Sequence, residues 1–599
     1  MKELYAEGIA NHSDPESCGQ HREVFSEALT GALPGADTES RKHLPDADPM
    51  TLRGRPHAER RHSEALGDPA GSKTRRTART FRHENRETPG ISIGVGRMDR
   101  TVQGPTQTTV MHVPGESDEG VVPLIHRRPA GRGKGEGRPE TLGNLDWSTM
   151  PETQDSDHMM SGLERIRQAA RGNKEIRFTS LLHHITVGML EDSYRSLSRN
   201  ASSGIDGVTW TEYGEDLAPR LADLHGRVHE GRYRALPSKR VWIPKADGRM
   251  RPLGIAALED KIVQLAVVWV LQAIYEEDFA GFSYGFRPGR SQHQALDAIW
   301  VGITERNVNW IVDADITSFF DTLDHEWLMK FVEHRVADPR ILRLLRKWLR
   351  AGVNEDGAWS QTPVGTPQGA VISPLLANIY LHHVLDLWIK WWRSHDASGE
   401  TIIVRYADDF VVGFKTKDKA ERFLHDLHER LAKFSLKLHP DKTRLIEFGR
   451  FATANRAKRG ERRPETFAFL GFTHHCAKQR KDGGFTIIRT TIAKRLGAAV
   501  HKIGQTLMTN RALPLADQGK WLGAVVRGWL NYHAVPGNSP AIHSFRYRIV
   551  EAWRRALRRR SQAAGRGTTW AVMQRIAARY LPKVTILHPY PNQRLRVST

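Results

Sequence analysis

Cysteine is almost missing from this chain. Two occur in 599 residues. Cys18 and Cys476 stand too far apart in sequence to suggest a disulfide framework, and two are too few for a zinc ribbon. No run of eighteen apolar residues exists and the N-terminus has no apolar signal core, so a membrane-spanning helix and a secretory leader are not expected. A soluble, intracellular protein of the cytoplasm is expected. Acid is scarce relative to base: 68 Asp and Glu against 89 Lys and Arg leave a net charge of +21. That excess makes nucleic acid the leading partner and an anionic membrane the competitor. Apolar runs are few before residue 159. Residues 1–158 are rich in Gly, Pro, Ser, Thr and Arg with no persistent period, a composition that cannot bury enough surface to offset ordering entropy. They read as a low-complexity, disordered extension, with Met159 or Met160 as an alternative start.

What the chain does have is acid in unusual places. Residues 404 to 412 read Val-Arg-Tyr-Ala-Asp-Asp-Phe-Val-Val. Apolar, β-branched runs on both sides of a short polar break signal a β-hairpin. Two adjacent carboxylates at its tip repel each other and serve no packing purpose. A solvated acidic turn is the ordinary reading of an isolated Asp-Asp pair. A second acidic strand upstream, Trp310-Ile311-Val312-Asp313-Ala314-Asp315-Ile316, reverses it. An acid at a strand end plus an acid pair on a neighbouring hairpin is the hard-oxygen ligand set that two-metal phosphoryl transfer requires. Between the blocks lies a turn-rich segment, Thr366-Pro367-Gln368-Gly369-Ala370-Val371-Ile372-Ser373-Pro374, then an apolar stretch suited to a buried helix, Leu375-Leu376-Ala377-Asn378-Ile379-Tyr380.

These blocks resemble the reverse transcriptases of the group II intron type. The Tyr-Ala-Asp-Asp box, the segment from Asp315 to Phe320, Thr-Pro-Gln-Gly-x-x-x-Ser-Pro and Tyr284-Gly285-Phe286-Arg287-Pro288-Gly289-Arg290-Ser291 carry the resemblance. So do Gly204-Ile205-Asp206-Gly207-Val208 and Phe469-Leu470-Gly471-Phe472. Six blocks in order, from about residue 160 to the C-terminus, make it specific. The resemblance implies an α/β right-hand polymerase of fingers and palm, followed by an α-helical thumb or maturase domain and a short basic segment. The implied division is 159–235 for an N-terminal extension with a template-binding loop, 236–472 for fingers and palm, 473–560 for the thumb and 561–599 for a basic tail.

It also implies roles. Asp315, Asp408 and Asp409 would be catalytic and, with Ile316, would hold two Mg²⁺ ions, for which Mn²⁺ could substitute. Asp313 shares a strand face with Asp315 and is a weaker rival. Asp247-Gly248 between apolar runs is a hairpin signal, and Lys245 and Arg251 on its arms would grip the dNTP triphosphate. Phe320 would stack beneath the sugar and exclude a 2′-hydroxyl, with Phe319 left to core packing. Gln368 would line the nucleotide pocket, and Lys442 would approach the leaving pyrophosphate. Phe467 to Phe472 resembles the primer-gripping hairpin. Arg287 and Arg290 are assigned to nucleic acid.

Beyond residue 490 the pattern is helical and basic. Phe545, Ile549, Trp553 and Leu557 recur at helical spacing, and the opposite face carries Arg546, Arg548, Arg554, Arg555, Arg558, Arg559 and Arg560. A solvated face is the usual reading of a charge run. Residues 541–599, however, hold 13 Lys or Arg and the single acid Glu551, a local +12, which favours a polyanion partner. The expected partners are group II intron RNA, primer–template, target DNA and dNTP. The expected function is RNA-directed DNA polymerisation, with intron binding that assists splicing and target-primed retrohoming. A stand-alone bacterial enzyme of retron, diversity-generating or CRISPR-associated type, or a maturase alone, is the alternative. No paired cysteines appear near the end, so no second-strand endonuclease domain is expected.

Overall fold

The computed structural model describes residues 121–123, 154–244, 250–355, 357–361, 364–366, 369–395 and 400–597. Most of the expected disordered extension lies outside them. Of it, Val121–Pro123 pairs antiparallel with Leu595–Val597. Helix α1 (Gln154–Gly172) already includes Met159 and Met160, so the expected boundary at 158 cuts a helix.

Leu163, Ile166 and Ala170 of α1 are buried, as the helical spacing requires. They pack in one core with α2 (Val187–Ser196) and α3 (Leu217–His229). The same core takes in α4 (Leu258–Tyr275), in which nearly every side chain is buried. A helix buried on nearly every face, with an apolar run from Leu265 to Leu271, lies at the centre of its core.

The fingers hairpin forms where Asp-Gly predicts it: β1 (Ser238–Pro244) pairs antiparallel with β2 (Met250–Ile255), Pro244 opposite Met250. Next come α5 (Gln292–Glu305) and β3 (Trp310–Asp315), followed by α6 (His325–Glu333) and α7 (Pro339–Arg350). Two short strands, β4 (Val353–Glu355) and β5 (Ala358–Ser360), then extend the fingers sheet. The apolar run after Ser373 is α8 (Ser373–Leu381), which widens into a π turn (His382–Asp386) and continues as α9 (Leu387–His395). The palm sheet runs β6 (Ile402–Tyr406), β7 (Asp409–Phe414), β3, β8 (Arg444–Glu447), antiparallel throughout. Helix α10 (Lys417–Ala432) buries Phe423, Leu427 and Leu431 in the same core.

A three-stranded sheet follows: β9 (Phe467–Phe469), β10 (Phe472–Lys478) and β11 (Phe485–Thr491). Phe467, Phe469, Phe472 and Ile487 pack with α5 and the palm strands, so the expected palm–thumb boundary at 472 divides a continuous sheet. The thumb is a helical bundle of α11 (Ala493–Thr509), α12 (Leu515–His533), α13 (Ser539–Arg558) and α14 (Trp570–Tyr580). Phe545, Ile549, Trp553 and Leu557 form its buried stripe.

Residues 561–597 are not a free tail. Met573, Ala577 and Leu581 complete the thumb core, Leu595 is buried in the palm cluster, and Arg594 pairs with Asp297 of α5. The basic count is real, but apolar residues at helical spacing between the arginines give this segment a fold.

Candidate active site

Three aspartates meet at one end of the palm sheet. β3 and β7 are in register with Asp315 opposite Asp409. Across the β6–β7 hairpin Tyr406 stands opposite Asp409, which leaves Ala407 and Asp408 as a two-residue turn. Ala407 has φ 58°. Tight hairpin turns need a positive φ to match strand twist, and a non-glycine residue there costs roughly 1 kcal/mol.

The segment after α10 lies against the other side of Asp315. The His439 N–H donates to the Asp315 carbonyl and the Thr317 N–H to that of Lys437, both at 2.8 Å. This brings the Lys442 ammonium onto the Asp315 carboxylate, where it donates a hydrogen bond. Asp313 instead pairs with Arg444 at 3.2 Å, so the rival carboxylate already has a cation.

The site is electrostatically crowded. Burial and then Asp315 raise the Asp408 carboxyl above the ordinary carboxylate range, against the opposing charges of Arg251 and Lys442. Burial, then the neighbouring Asp408 and Asp315, push Asp409 up to about 7. Asp409 is exposed toward the cleft, so the like-charge crowding is the part of that shift that survives hydration. Among the described residues no three His, Cys, Asp or Glu side chains converge as a ready-made cage. The donor set nevertheless fits a hard divalent ion: three carboxylates share one edge, and Lys442 and Arg251 offset their charge only in part.

The nucleotide-side residues divide into placed and undescribed. Arg251 is exposed on β2 opposite Ile243. Phe320 is half-buried, edge-on to the buried Phe319 ring at 5.4 Å. The Thr366 N–H donates to the Phe320 carbonyl at 2.8 Å, which holds the start of the Thr-Pro-Gln-Gly segment against the Phe320 backbone. Gly369 has φ 112°, and a Cβ there would lie 2.8 Å from the Gly254 carbonyl oxygen of β2. Ile316 is buried and bridges Leu438. Lys245 and Gln368 lie outside the described residues.

Comparison with known proteins agrees with this geometry. Residues 243–474 match the family model described as reverse transcriptase (RNA-dependent DNA polymerase). The chain is 38% identical over 274 residues to Protein YkfC of Escherichia coli, covering 40% of this chain and 71% of that protein. The chain belongs to the reverse transcriptase family. It is also 34% identical over 255 residues to the group II intron-encoded protein LtrA of Lactococcus lactis, covering 42% of each chain. An uncharacterized 91 kDa protein in the cob intron of Schizosaccharomyces pombe is 28% identical over 386 residues, covering 53% of this chain and 45% of its own. This reverse transcriptase therefore stands among intron-encoded relatives, although it spans under half of LtrA.

Several assigned residues serve other purposes. Arg287 of this reverse transcriptase is not a nucleic-acid contact. It is 3% exposed, pairs with Glu276 at 3.0 Å and donates to the carbonyls of Ala280 and Ser283 at 2.7 and 2.8 Å. Arg290 donates to the Gly281 carbonyl at 2.9 Å and lies over the Tyr284 ring. In the thumb, Arg546 and Arg554 are half-buried and donate to the carbonyls of Pro582 and Thr568. Arg555, Arg558 and Arg559 remain exposed, with Arg555 paired to Glu551 and Arg558 donating to the Gly565 carbonyl.

Sequence reasoning missed a set behind the carboxylates. Arg405 is fully buried, and its guanidinium donates to both carboxylate oxygens of Asp386 at 2.7 and 2.5 Å. It also donates to Asn378 Oδ1 and to the Ala407 carbonyl, each at 3.0 Å. Asn378 in turn donates to the Gly285 carbonyl at 2.7 Å. The available signal is a lone polar residue inside each of two apolar runs, Asn378 after Leu375-Leu376-Ala377 and Asp386 between Leu385 and Leu387.

Proposed function

We propose that this chain copies RNA into DNA by two-metal nucleotidyl transfer and that it binds group II intron RNA to assist splicing. The observation that carries the polymerase reading is the register: Asp315 opposite Asp409, with Asp408 on the turn beside them. Asp315, Asp408 and Asp409, with the Ile316 carbonyl, would hold two Mg²⁺ ions, which supply activation of the primer 3′-hydroxyl and stabilisation of the departing pyrophosphate. Arg251 and Lys245 would hold the triphosphate, Arg in bidentate fashion and Lys as a point charge. Lys442 would turn from Asp315 to the β- and γ-phosphates once those anions arrive. Phe320 would lie under the sugar and exclude a 2′-hydroxyl, and Gln368 would line the same pocket.

The intron-binding role draws on the relatives' names and on the thumb. Arg548, Arg555 and Arg558 are exposed along α13, on the side opposite its buried stripe, and Arg559 is exposed at its C-cap. Such a face suits phosphates, without reading bases.

The direct test is primer extension on an RNA template with the four dNTPs, across a titration of Mg²⁺ and then Mn²⁺. Extension dependent on the divalent ion is expected. None at any ion concentration would overturn the polymerase reading. Gel-shift binding of a group II intron RNA against an unrelated RNA of equal length tests the second role, and equal affinity for both would remove the intron-specific part.

A further inference from the structure

We infer that Asn378, Asp386 and Arg405 are positioning residues for polymerisation, acting from inside the palm to fix the turn that presents Asp408. The inference rests on the polymerase reading of the aspartate cluster. Its observation is a buried relay in which each member holds the next. Four of the five guanidinium N–H groups of Arg405 are committed: two to Asp386, one to Asn378 and one to the Ala407 carbonyl at the hairpin tip. Asn378 passes the constraint to the Gly285 carbonyl. Gly285 touches the same turn from its other side, since a Cβ there would lie 2.3 Å from the Ala407 backbone nitrogen. The backbone adds a clamp: the Tyr284 N–H donates to the Arg405 carbonyl, and the Arg405 N–H to that of Phe282, both at 2.9 Å. The Ala407–Asp408 turn is thereby held from below by a side chain and from the flank by the Phe282–Tyr284 segment, which bridges Arg405.

The π turn explains how one helix supplies both partners. Asn378 and Asp386 are eight residues apart. In a regular α-helix, eight residues turn through about 800°, which leaves the two side chains roughly 80° out of line. The wider π turn over His382–Asp386 winds less per residue and removes most of that offset, so both face Arg405. Such turns cost hydrogen-bond quality and recur at functional sites.

The second argument is thermodynamic. Arg405 and Asp386 are both fully buried. A buried ion pair seldom stabilises a fold more than well-packed apolar residues of the same volume would. What an apolar pair could not do is bind the Ala407 carbonyl and Asn378 at once. The third arm of the guanidinium, aimed at the metal-site turn, is the part of this arrangement that packing cannot replace. A shift of about 1 Å at a reacting centre can cost on the order of a hundredfold in rate, so a device that fixes one backbone carbonyl there has a direct use.

Three variants test this. Asn378→Leu removes both amide contacts at similar volume. Arg405→Lys keeps the charge but loses the fork. The double variant Asp386→Leu/Arg405→Met removes both buried charges together, so no unpaired ion remains to prevent folding. For each, the measurements are melting temperature, primer–template Kd, kcat and KM for dNTP, and the Mg²⁺ concentration for half-maximal extension. The expected result is a Kd within about twofold of wild type, kcat lower by roughly ten- to a hundredfold, and a Mg²⁺ midpoint raised several-fold. Folded variants with wild-type kcat and Mg²⁺ midpoint would overturn the inference. So would losses of activity that merely track the loss of folded protein, which would make the relay a matter of stability. Extension by the wild-type chain that disappears in Asp408→Asn supports the polymerase reading separately, so normal rates in the relay variants would count against this inference alone.

Discussion

In the palm and its flank, Arg287 and Arg405 are enclosed, and their guanidinium forks are committed to Glu276, Asp386 and backbone carbonyls. In the thumb, Arg548, Arg555 and Arg558 are exposed on one helix with Arg559 at its C-cap, and the acid beside them, Glu551, pairs with Arg555. The two groups share a side chain and a charge but not a job. A buried fork determines where backbone goes, because every N–H must find an acceptor and the acceptors are then fixed. An exposed arginine on a helix fixes little in the fold and leaves donors for a ligand. Removing the first kind should therefore release the backbone it holds, at a cost in stability for Arg287 and in turnover for Arg405, and removing the second kind should cost binding.

The largest effect is expected at Arg287. Arg287→Met leaves Glu276 without its partner in the interior, which should cost about 3–5 kcal/mol of stability, read as a fall in unfolding free energy. A loss below about 1 kcal/mol would mean that the pair is hydrated and the contrast overstated. Phe320 comes next. Phe320→Val should raise rNTP incorporation relative to dNTP by roughly ten- to a hundredfold, the scale for altering one apolar contact in a pocket. An unchanged ratio would return Phe320 to the core beside Phe319.

The aspartate cluster predicts a smaller, pH-dependent effect. Asp409 titrates higher in the folded chain than in the unfolded one. At this carboxyl the native state binds more protons than the unfolded state through the interval from about 4 to 7, so its contribution to stability falls as pH rises across it. The buried histidines, whose pKa values burial lowers, contribute with the opposite sign, so the comparison is with Asp409→Asn. In EDTA the wild type should lose melting temperature relative to that variant as pH rises over this interval, and Mg²⁺ should shrink the difference. Metal-free melting curves of wild type and Asp409→Asn that run parallel over the same range would contradict the crowding. The smallest effect on the fold is expected in the thumb. Arg555, Arg558 and Arg559 changed together to Gln should alter stability by about 0.5 kcal/mol per site at most. The slope of log K against log salt for duplex DNA should flatten by about 0.9 for each phosphate no longer neutralised. An unchanged slope would leave α13 with a merely solvated face.

The same contrast explains what can be read from the residues alone. Strand patterns with period two and a polar break dictate register, so Asp315, Asp408 and Asp409 are legible in the sequence. Lys442 follows from its block, and the Asp-Gly hairpin from its turn chemistry. Charge by itself carries no such constraint. Arg287 sits in a glycine- and proline-rich motif with an exposed look, yet its neighbours Glu276 and Ser283 enclose it. Residues 561–597 read as a tail because arginine dominates the count. Met573, Ala577 and Leu595, too sparse to stand out, anchor it. The relay through Asn378 and Asp386 depends on a π turn, for which helical periodicity gives no warning.

The most direct test of the central claim is single-turnover primer extension by Asp408→Asn beside wild type, at saturating primer–template, dNTP and Mg²⁺. The account predicts loss of extension by several orders of magnitude, with melting temperature and intron-RNA Kd essentially unchanged. Extension at the wild-type rate would contradict it, because the carboxylates gathered by the palm register would then have no part in the chemistry.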